Sequence, residues 1–394
     1  MRIRKALWNN DAEPVIVIMV ILLVLGTINV FSSSFVMAAT ENDNPYLFLQ
    51  KHLVMLVIGT AAFIACRKIH YTRWRTLMPW LLFGTLLCLV LVLFIGTSVN
   101  GAKRWLFIGQ PAELAKLMAL ILTAAYIDSR ARRNQPVSFL NRQFLFVAAM
   151  AGLTEVEPDM GTACIIAGVP VLMYFVAGVK KGERRFLGVA AVVLATAMVI
   201  WQPYRLDRIK ILFDPWADAQ GVGYQVVQSL STIGSGGLWG MGLGAGVSKY
   251  DYLPEAHTDF AFAIFCQEHG YILALMVFLL YAFLTLFCAR IANIARDAFG
   301  QVLAVGIMIL IVGQAIVNLM MVGGIFPVVG VPLPFISYGG SSLVVSMAAM
   351  GMLANIADHG EHRKRDIPQA PESEESGRPK LRLVKGQSES PHEI

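Results

Sequence analysis

The sequence predicts an all-α integral membrane protein with about ten transmembrane helices and a large extracytoplasmic loop between helices 7 and 8. Two properties predict this class. The 394 residues are 56% hydrophobic and 15% charged, with mean hydropathy +0.62, whereas a soluble domain carries roughly 25% charged residues. Apolar runs of about 18 or more residues also recur along the chain, and each can cross a bilayer roughly 30 Å thick as a helix.

Ten apolar segments are the predicted helices. The segment at 143–154 is short for a span, and the sequence leaves the division of the chain around Pro158 open. An even number of crossings places both termini on the same side of the membrane. In chain order the segments are roughly 14–35, 50–66, 76–97, 112–127, 143–154, 161–179, 186–201, 260–288, 301–325 and 334–357.

The distribution of basic residues predicts the orientation. With the N-terminus inside, 24 of the 32 lysines and arginines fall in inner segments, as the positive-inside rule requires. Both termini are therefore expected in the cytoplasm, and the net charge of +6 reflects topology rather than binding to nucleic acid. The first apolar run is longer than the roughly 7–15 residues of a signal-peptide core, which favours a retained helix.

Two regions are predicted, a membrane domain at 1–357 and a disordered cytoplasmic tail at 358–394. The tail turns polar and lacks apolar periodicity. The loop at about 202–258 is the one long loop predicted, and it contains Trp216 and Trp239 among many apolar residues. Long loops are usually functional or disordered. This composition favours a packed cap over the outer face, which places the functional side there.

Four basic residues on the outer side are candidates for binding a pyrophosphate. Lys103 and Arg104 lie in NGAKRW, and Arg205 and Arg208 lie in YRLDRIK just after helix 7. Basic residues are rare on an outer face, and ammonium and guanidinium groups suit phosphate ligands. Simple anchoring at the membrane interface is the alternative that the sequence leaves open.

Glu113 and Lys116 form the charged pair of QPAELAK, which begins helix 4 with Pro111 in its first turn. Their spacing of three residues places them on one helix face. Charged side chains inside a membrane usually face a cavity, although a pair near the surface can instead snorkel toward water.

Three further outer segments are singled out by composition. EVEPDMGT (155–162) marks a break between two spans or an ordinary turn. The glycine-rich run at 234–246 fits no phosphate-binding loop pattern, so its glycines are expected to permit close packing or the approach of a ligand. FISYGGSS (335–342) is predicted to begin the last helix, with Ser337 lining a polar cavity or a close helix contact.

The stretch KYDYLPEAHTDFAF (249–262) concentrates ionisable side chains where the long loop meets helix 8. Thr258 is predicted to cap that helix and Asp259 to lie in its first turn. A carboxylate in this place suits proton abstraction from a sugar hydroxyl, and nearby cations suit an anionic leaving group.

The neighbours of Asp259 are given lesser roles. Glu255 and His257 are expected to support it, and Lys249 and Asp251 are expected to form a solvated rim. No HExxH or GxSxG motif is present, which removes support for metalloprotease and serine-hydrolase chemistry. No metal-ligating cluster is visible either.

These motifs together resemble the SEDS family, the RodA/FtsW/SpoVE group of bacterial cell-wall polymerases, over roughly 14–357. SKYDYLPEAHTDF and LDRIKILFDPW are more similar to FtsW, whereas PVVGVPLPF is closer to RodA. The sequence departs from the usual pattern at Glu157, where glutamine is common. The motifs that carry the resemblance, in order, are NGAKRW, QPAELAK, EPDMGT, RLDRI with DPW, GYQVVQS, the glycine run, LPEAHTDF and PLPFISYGGSS.

The resemblance implies a peptidoglycan glycosyltransferase of the bacterial cytoplasmic membrane that polymerises lipid II, a disaccharide-pentapeptide on undecaprenyl pyrophosphate. The family's essential aspartate falls on Asp259, the candidate general base, and its charged pair falls on Glu113 and Lys116. The product is a β-1,4 glycan formed with inversion. The implied partners are a class B penicillin-binding protein, other divisome or elongasome membrane proteins and membrane lipid.

Two functions of other classes stay open, a lipid II flippase or transporter and a non-catalytic divisome scaffold. A transporter is expected to have repeated halves and helices broken at mid-membrane, and no repeat is visible. Retention of Asp259 and of the outer cations argues against a scaffold. No cofactor is assigned, although a divalent cation near Asp259 and the pyrophosphate is compatible with the chemistry.

Overall fold

The computed structural model describes residues 8, 10–99, 102–106, 109–201, 203–250 and 252–366. Within these residues, ten helices of 15 or more residues correspond one to one with the ten predicted segments. Two shorter helices, α8 and α9, lie in the long loop. The elements are α1 (Ala12–Asn42), α2 (Leu47–Lys68), α3 (Arg73–Ile95), β1 (Thr97–Val99), β2 (Ala102–Trp105), α4 (Pro111–Arg132), α5 (Arg142–Val156), α6 (Met160–Val176), α7 (Lys181–Trp201), α8 (Pro203–Lys210), α9 (Tyr224–Ser235), α10 (Ala261–Ile294), α11 (Ala298–Val322) and α12 (Gly340–Asp366).

Six of the described helices are long and apolar enough to cross a membrane, namely α1, α2, α3, α10, α11 and α12. The fold is therefore that of an all-α multi-pass membrane protein. Helix α5 has 15 residues and rises about 22 Å at 1.5 Å per residue, which explains why its segment is short in the sequence. Helix α6 is apolar but has only 17 residues.

Helix α4 lies at the centre of the bundle. Seventeen of its 22 residues are buried, and it packs against α3, α6 and α11. Its charged residues Glu113, Lys116 and Asp128 are buried too. These charges make the helix less hydrophobic than its neighbours, although protein surrounds it. This helix therefore presents intramembrane charges to the interior of the bundle, as expected for polar residues in a membrane protein.

The long loop is ordered, as its composition predicted, but it is not a closed cap. Helix α9 packs into the bundle through the buried residues Val226 and Val227. In contrast, Trp216 is 60% exposed and Trp239 is 81% exposed. The described packing of the loop therefore comes from α9 and from the glycine-rich run, while its two tryptophans lie at the surface.

Helix α10 is interrupted at Gly270, where the backbone has φ 76°. The glycine-rich run seals this interruption, since the N–H of Met241 donates to the carbonyl of Gln267 (2.9 Å) and the N–H of Gly242 donates to that of Glu268 (3.0 Å). A Cβ on Gly240 would collide with the carbonyl oxygen of Glu268. The prediction of close backbone packing by these glycines is confirmed.

Both ends of the last helix differ from the prediction. Helix α12 begins at Gly340 rather than near Phe335, because Phe335 has a positive φ of 68° and the chain turns through Ser337 before the helix starts. At the other end α12 continues to Asp366, so the predicted disorder is wrong for residues 358–366. Asp358 pairs with Arg67 at 3.1 Å. The rest of the predicted tail, 367–394, lies outside the described residues.

Candidate active site

The candidate site lies at one end of the bundle, which we call the loop side. It carries the β1–β2 hairpin, the α5–α6 turn at 157–159, and the 202–258 loop. A further piece of non-helical chain, which we call the α11–α12 segment, runs through 323–339 at the same end. The sequence predicted that most candidate residues would lie on one side, and these elements bring them there.

Asp259 lies in a turn just before α10, not within the helix. The helix begins at Ala261, and the predicted capping residue Thr258 instead donates its hydroxyl to Glu255 Oε2 at 2.6 Å. Asn318 Nδ2 donates to the backbone carbonyl of Asp259 at 2.8 Å. The predictions that Thr258 caps α10 and that Asp259 occupies its first turn are both wrong, since the chain enters the helix through this turn.

The Asp259 carboxyl group stands between opposing charges. Its pKa is raised to about 7, first by burial and then by the nearby carboxylates of Glu255 and Asp159. The guanidinium groups of Arg104 and Arg208 act in the opposite direction. The four charged groups come from four different parts of the chain, so the fold assembles a local cluster around Asp259.

Arg104 reaches the site from strand β2. Its Nε donates to the carbonyl of Glu157 at 3.1 Å and its second guanidinium nitrogen donates to the carbonyl of Pro158. Lys103, its neighbour in the strand, is exposed, because successive side chains of a strand point to opposite faces. The structure thus brings Arg104 to Asp259 but directs Lys103 away. The sequence did not predict this hairpin.

Arg208 reaches the site from α8 and donates to the backbone carbonyl of Val328 in the α11–α12 segment. This contact links the long loop to the segment that passes Asp259, where Gly330 lies so close that a Cβ there would stand 3.4 Å from Asp259 Oδ2. The side chain of Arg205 lies outside the described residues, so its predicted role stays a prediction.

The α5–α6 turn supplies two carboxyl groups that sequence reasoning left out of the site. Asp159 caps α6 by accepting from the N–H of Thr162 at 3.2 Å, and it also accepts from Gln110 Nε2 at 2.8 Å. Glu157 is buried, and burial raises its pKa to about 8. The signal for these residues was the run of three carboxylates in EVEPDMGT, which is a break between spans as predicted.

Glu113 and Lys116 form a buried ion pair with 2.7 Å between Oε2 and Nζ. Lys116 Nζ also donates to Gln314 Oε1 at 3.2 Å. The snorkelling alternative is therefore wrong, and the pair points inward. Gln314 in turn donates to the carbonyl of Pro332 at 2.9 Å. This chain of contacts connects the charged pair of α4 with the segment beside Asp259.

Helix α11 holds the α11–α12 segment through two amides that sequence reasoning missed. Gln314 bonds the carbonyl of Pro332, and Asn318, one helical turn later, donates to the carbonyl of Val331 at 2.7 Å. Asn318 also bonds the carbonyl of Asp259. One side chain therefore ties the turn that carries Asp259 to the segment that flanks it. Gln314 and Asn318 are isolated amides in an apolar helix, so no periodic pattern in the sequence pointed to them.

The three residues predicted to support Asp259 make local contacts in the structure. Glu255 accepts from Thr258, as described above. His257 is buried with its ring 4.9 Å from that of Phe48 and 5.7 Å from that of Tyr338. Ser337 accepts from the N–H of Leu333 at 3.0 Å, so its described contact stabilises a turn of the α11–α12 segment.

The sequence predicted that Lys249 and Asp251 form a solvated rim. This prediction is wrong for Lys249, and Asp251 lies outside the described residues. The ammonium group of Lys249 is buried and lies 2.9 Å from Glu268 Oε1 and 3.1 Å from Ser32 Oγ. Ser32 also donates to Glu268 at 2.7 Å. This triad joins the loop, α10 and α1. The expectation failed because the partner of Lys249 lies 19 positions along the chain, beyond the start of α10.

The geometry suits transfer of a glycosyl group from an anionic leaving group. A carboxyl group with a pKa near 7 can accept a proton at neutral pH. The guanidinium groups of Arg104 and Arg208 lie near it and can stabilise a negative charge that develops on a leaving group. Among the described residues, no group of three or more His, Cys, Asp or Glu side chains is arranged to hold a metal ion.

Comparison with known proteins agrees with this arrangement. Residues 13–362 match the model of a family described as cell cycle protein, FtsW/RodA/SpoVE. A probable peptidoglycan glycosyltransferase FtsW of Trichlorobacter lovleyi is 38% identical, covering 90% of this chain and 95% of the relative. Stage V sporulation protein E of Bacillus subtilis is 35% identical, covering 88% and 97%. The FtsW-like features of the sequence agree with these relatives.

Solved structures show the same fold. A chain from a study of the structural coordination of polymerization and crosslinking by a peptidoglycan synthase complex superimposes with a TM-score of 0.71 at 27% identity, covering 90% of this chain and 98% of that one. The rod shape determining protein RodA of Thermus thermophilus gives a TM-score of 0.63 at 25% identity, covering 89% and 96%.

Proposed function

This chain belongs to the FtsW/RodA/SpoVE family, and we propose that it is a peptidoglycan glycosyltransferase that polymerises lipid II into β-1,4-linked glycan with release of undecaprenyl pyrophosphate. The observation that carries the proposal is the cluster at Asp259, a carboxyl group with a raised pKa beside Arg104 and Arg208. The relatives named FtsW favour a role in cell division.

In the proposed reaction Asp259 takes the proton of the acceptor sugar's 4-hydroxyl. The hydroxyl oxygen forms a bond to the anomeric carbon of the lipid-linked donor strand, and the bond from that carbon to the pyrophosphate oxygen breaks. Inversion follows from attack opposite the leaving group. Arg104 and Arg208 bind the pyrophosphate and stabilise the charge that it gains. A carboxyl pKa near 7 suits this role, since a base is most effective near the working pH.

The proposal includes an orientation in the bacterial cytoplasmic membrane. The loop side faces outward and both termini lie in the cytoplasm, because this arrangement places most basic residues inside. The substrate then reaches Asp259 on the outer face. A buried ion pair, Glu113 with Lys116, supports the site from within the bundle by fixing Gln314 and through it the α11–α12 segment.

A class B penicillin-binding protein is the proposed partner. Support comes from the similar chain reported within a peptidoglycan synthase complex that couples polymerization and crosslinking. A transpeptidase beside the loop side would receive the new glycan strand as it is made. Other divisome or elongasome proteins are proposed as further partners in the membrane.

The test is polymerisation by the purified protein, with its transpeptidase partner, supplied with lipid II. Asp259→Asn keeps the shape but removes the proton acceptor, and we expect the rate of glycan formation to fall about 100- to 10,000-fold. The matched control is Asp207→Asn, which alters a half-exposed carboxylate of α8 paired with Lys210 at 2.8 Å and should retain the wild-type rate. Parallel reactions with EDTA and with added Mg²⁺ report whether a divalent cation assists.

A wild-type rate in Asp259→Asn would show that the base lies elsewhere. Absence of glycan from the wild-type protein, combined with movement of lipid II across a vesicle membrane, would favour the transporter. The broken helix α10 is a feature of transporters, but here the glycine-rich run bonds the carbonyls of Gln267 and Glu268, so the described interruption is closed by protein.

A further inference from the structure

The turn that carries Asp259 is bonded by buried amide side chains from two different helices. Asn318 of α11 donates to the carbonyl of Asp259, and Asn29 of α1 donates to the carbonyl of Ala261 at 2.9 Å. Both asparagines are fully buried, and both helices pack against α10. The backbone is therefore held on either side of Phe260, at the point where the turn becomes the helix.

The partners of these amides explain why they stand in apolar helices. A carbonyl oxygen only accepts hydrogen bonds, so it is the NH2 group of each asparagine that faces it. Asn318 uses both donors of its NH2 group, one on Asp259 and one on the carbonyl of Val331 at 2.7 Å. A hydrocarbon side chain in either place would leave a buried carbonyl without this donor, which destabilises the fold.

The carboxyl group of Asp259 has no comparable tether of its own. Within the described part of the chain, no donor is hydrogen-bonded to its carboxyl oxygens, and the side chain is half-buried. The next residue, Phe260, is 1% exposed and packs in the core. The position of the carboxyl group therefore depends on the backbone from 259 to 261, where the two amides bind.

Asn318 also sets the distance between the carboxyl group and the α11–α12 segment. Gly330 lies so close that a Cβ there would stand 3.4 Å from Asp259 Oδ2, and the next carbonyl, that of Val331, accepts from Asn318. One NH2 group thus bonds the backbone that carries Asp259 and the backbone that flanks it. A shift of this amide would move the two relative to each other.

We propose that Asn29 and Asn318 are positioning residues that clamp the turn at 259–261 from two sides and thereby set the place of the Asp259 carboxyl group during glycosyl transfer. The proposal rests on the function proposed above. Both amides act through the backbone of the turn. A base works only within hydrogen-bond reach of the hydroxyl whose proton it takes, and a misplacement of about 1 Å can cost about 100-fold in rate.

The first test separates positioning from stability. Asn29→Leu and Asn318→Leu keep a branched side chain but remove the donors, and kcat should fall about 10- to 100-fold with KM for lipid II within about threefold. The matched control is Asn355→Leu in the inner half of α12. Asn355 is also buried and bonds the backbone of Arg67 at 2.6 Å and of Tyr71 at 2.8 Å. This control should lower Tm as much as Asn318→Leu does, with kcat within about threefold of wild type.

A double variant tests whether the two amides act on one turn. Release on one side already frees the turn, so Asn29→Leu combined with Asn318→Leu should lower kcat only about as much as the more damaging single change. Losses that multiply would overturn the shared clamp. Where a leucine variant does not fold, Asn318→Ser takes its place. A hydroxyl has one proton and can donate to only one of the two carbonyls, so kcat should again fall with KM unchanged.

The second test follows Asp259 without turnover. The C=O stretch of its protonated carboxyl group is assigned in infrared difference spectra by its absence from Asp259→Asn, and it is titrated from pH 5 to pH 9. A freed carboxyl group turns toward water, which lessens the burial that raises its pKa, so the midpoint should fall by about one pH unit in both leucine variants. Asn355→Leu should leave it unchanged. The charged groups that face Asp259 are the same in every variant, namely Glu255, Asp159, Arg104 and Arg208.

The two proposals fail in different ways. If glycan forms and neither leucine variant changes kcat or the midpoint, the function stands and the clamp is wrong. An equal loss of kcat in Asn355→Leu would also overturn the clamp, because the losses would then follow stability alone. If the wild-type protein makes no glycan but both leucine variants shift the midpoint, the function is wrong and the amides still position Asp259.

Discussion

Asp259, which is half-buried, and Glu157, which is buried, are two carboxyl groups at the loop side with different expected behaviour. Burial raises the pKa of both, to about 7 and about 8. At pH 7 Asp259 is divided between its two forms, so it can take and release a proton. Glu157 is mostly protonated at that pH and behaves as a neutral group.

This difference predicts the behaviour of Glu157→Gln. Because glutamine imitates the protonated acid, glycan formation at pH 7 should stay within about threefold of wild type. A carboxyl group whose pKa is higher in the folded than in the unfolded state contributes its full stabilisation only below the unfolded-state pKa. That contribution is lost as pH rises through the folded-state pKa. Wild-type Tm should therefore fall more between pH 5 and pH 8 than the Tm of Glu157→Gln.

Thermal unfolding in detergent at both pH values checks this prediction. Equal pH dependence in the two proteins would mean that Glu157 is ionised in the folded state. Loss of glycan formation in Glu157→Gln would show that the carboxylate itself takes part in the reaction.

At the scale of elements, the interruption of α10 is held by contacts from far along the chain. The glycine-rich run bonds its carbonyls, and a Cβ on Gly270 would collide with the backbone of Gly240. Just before the interruption, Glu268 binds Lys249 and Ser32. The loop that leads to Asp259 is thus held against α10 and α1 by a buried charge pair, in which Lys249 lies ten residues before Asp259.

This fastening predicts a large effect of Glu268→Gln on stability. Removing one partner leaves the Lys249 ammonium buried without its counter-charge, which costs about 3–5 kcal/mol. The double variant Glu268→Gln with Lys249→Met should recover part of that loss. The control Lys210→Met breaks the exposed pair with Asp207 and should change the free energy of unfolding by less than about 1 kcal/mol.

Denaturation of the detergent-solubilised variants measures these differences. The prediction would be contradicted if the double variant lost as much free energy of unfolding as Glu268→Gln and Lys249→Met lose together, since such additivity would mean that the two charges do not interact.

The sequence was sufficient for the elements that depend on local hydrophobicity. Each of the ten long helices in the described chain appears as an apolar run, and Pro111 begins α4 as predicted. The start of α12 and the break at Gly270 were not predictable in this way, because they depend on backbone contacts with distant residues. Hydropathy also gave no sign of the β1–β2 hairpin, which is short and polar.

The site was predictable only in part, because the sequence indicates the side of the membrane on which a residue lies but not its distant contacts. Asp259, Arg104 and Arg208 were identified as residues on one side of the membrane, and the fold brings their charges together. Lys103 is exposed on strand β2, beside Arg104, and its predicted role in binding pyrophosphate stays a prediction. Asn318 and Gln314 were missed because a single amide on α11 has meaning only once its partners, the carbonyls of Val331 and Pro332, are known.

At the scale of the whole molecule, four separate parts of the chain converge on one carboxyl group. The hairpin, the α5–α6 turn, α8 and the turn before α10 each contribute a charged residue, and α11 fastens the adjoining segment. Because burial within this assembly raises the pKa of Asp259, the proposed chemistry requires the complete fold rather than the LPEAHTDF motif alone.

The most direct test of this account is the pH dependence of kcat/KM for glycan formation between pH 5 and pH 9. Asp259 acts as a base only when deprotonated, so kcat/KM should rise about tenfold per pH unit below pH 7 and level off above it. The constant kcat/KM above pH 7 corresponds to the fully ionised Asp259 carboxylate. A rate that is flat from pH 5 to pH 8 would contradict the claim that a carboxyl group with a pKa near 7 is the base.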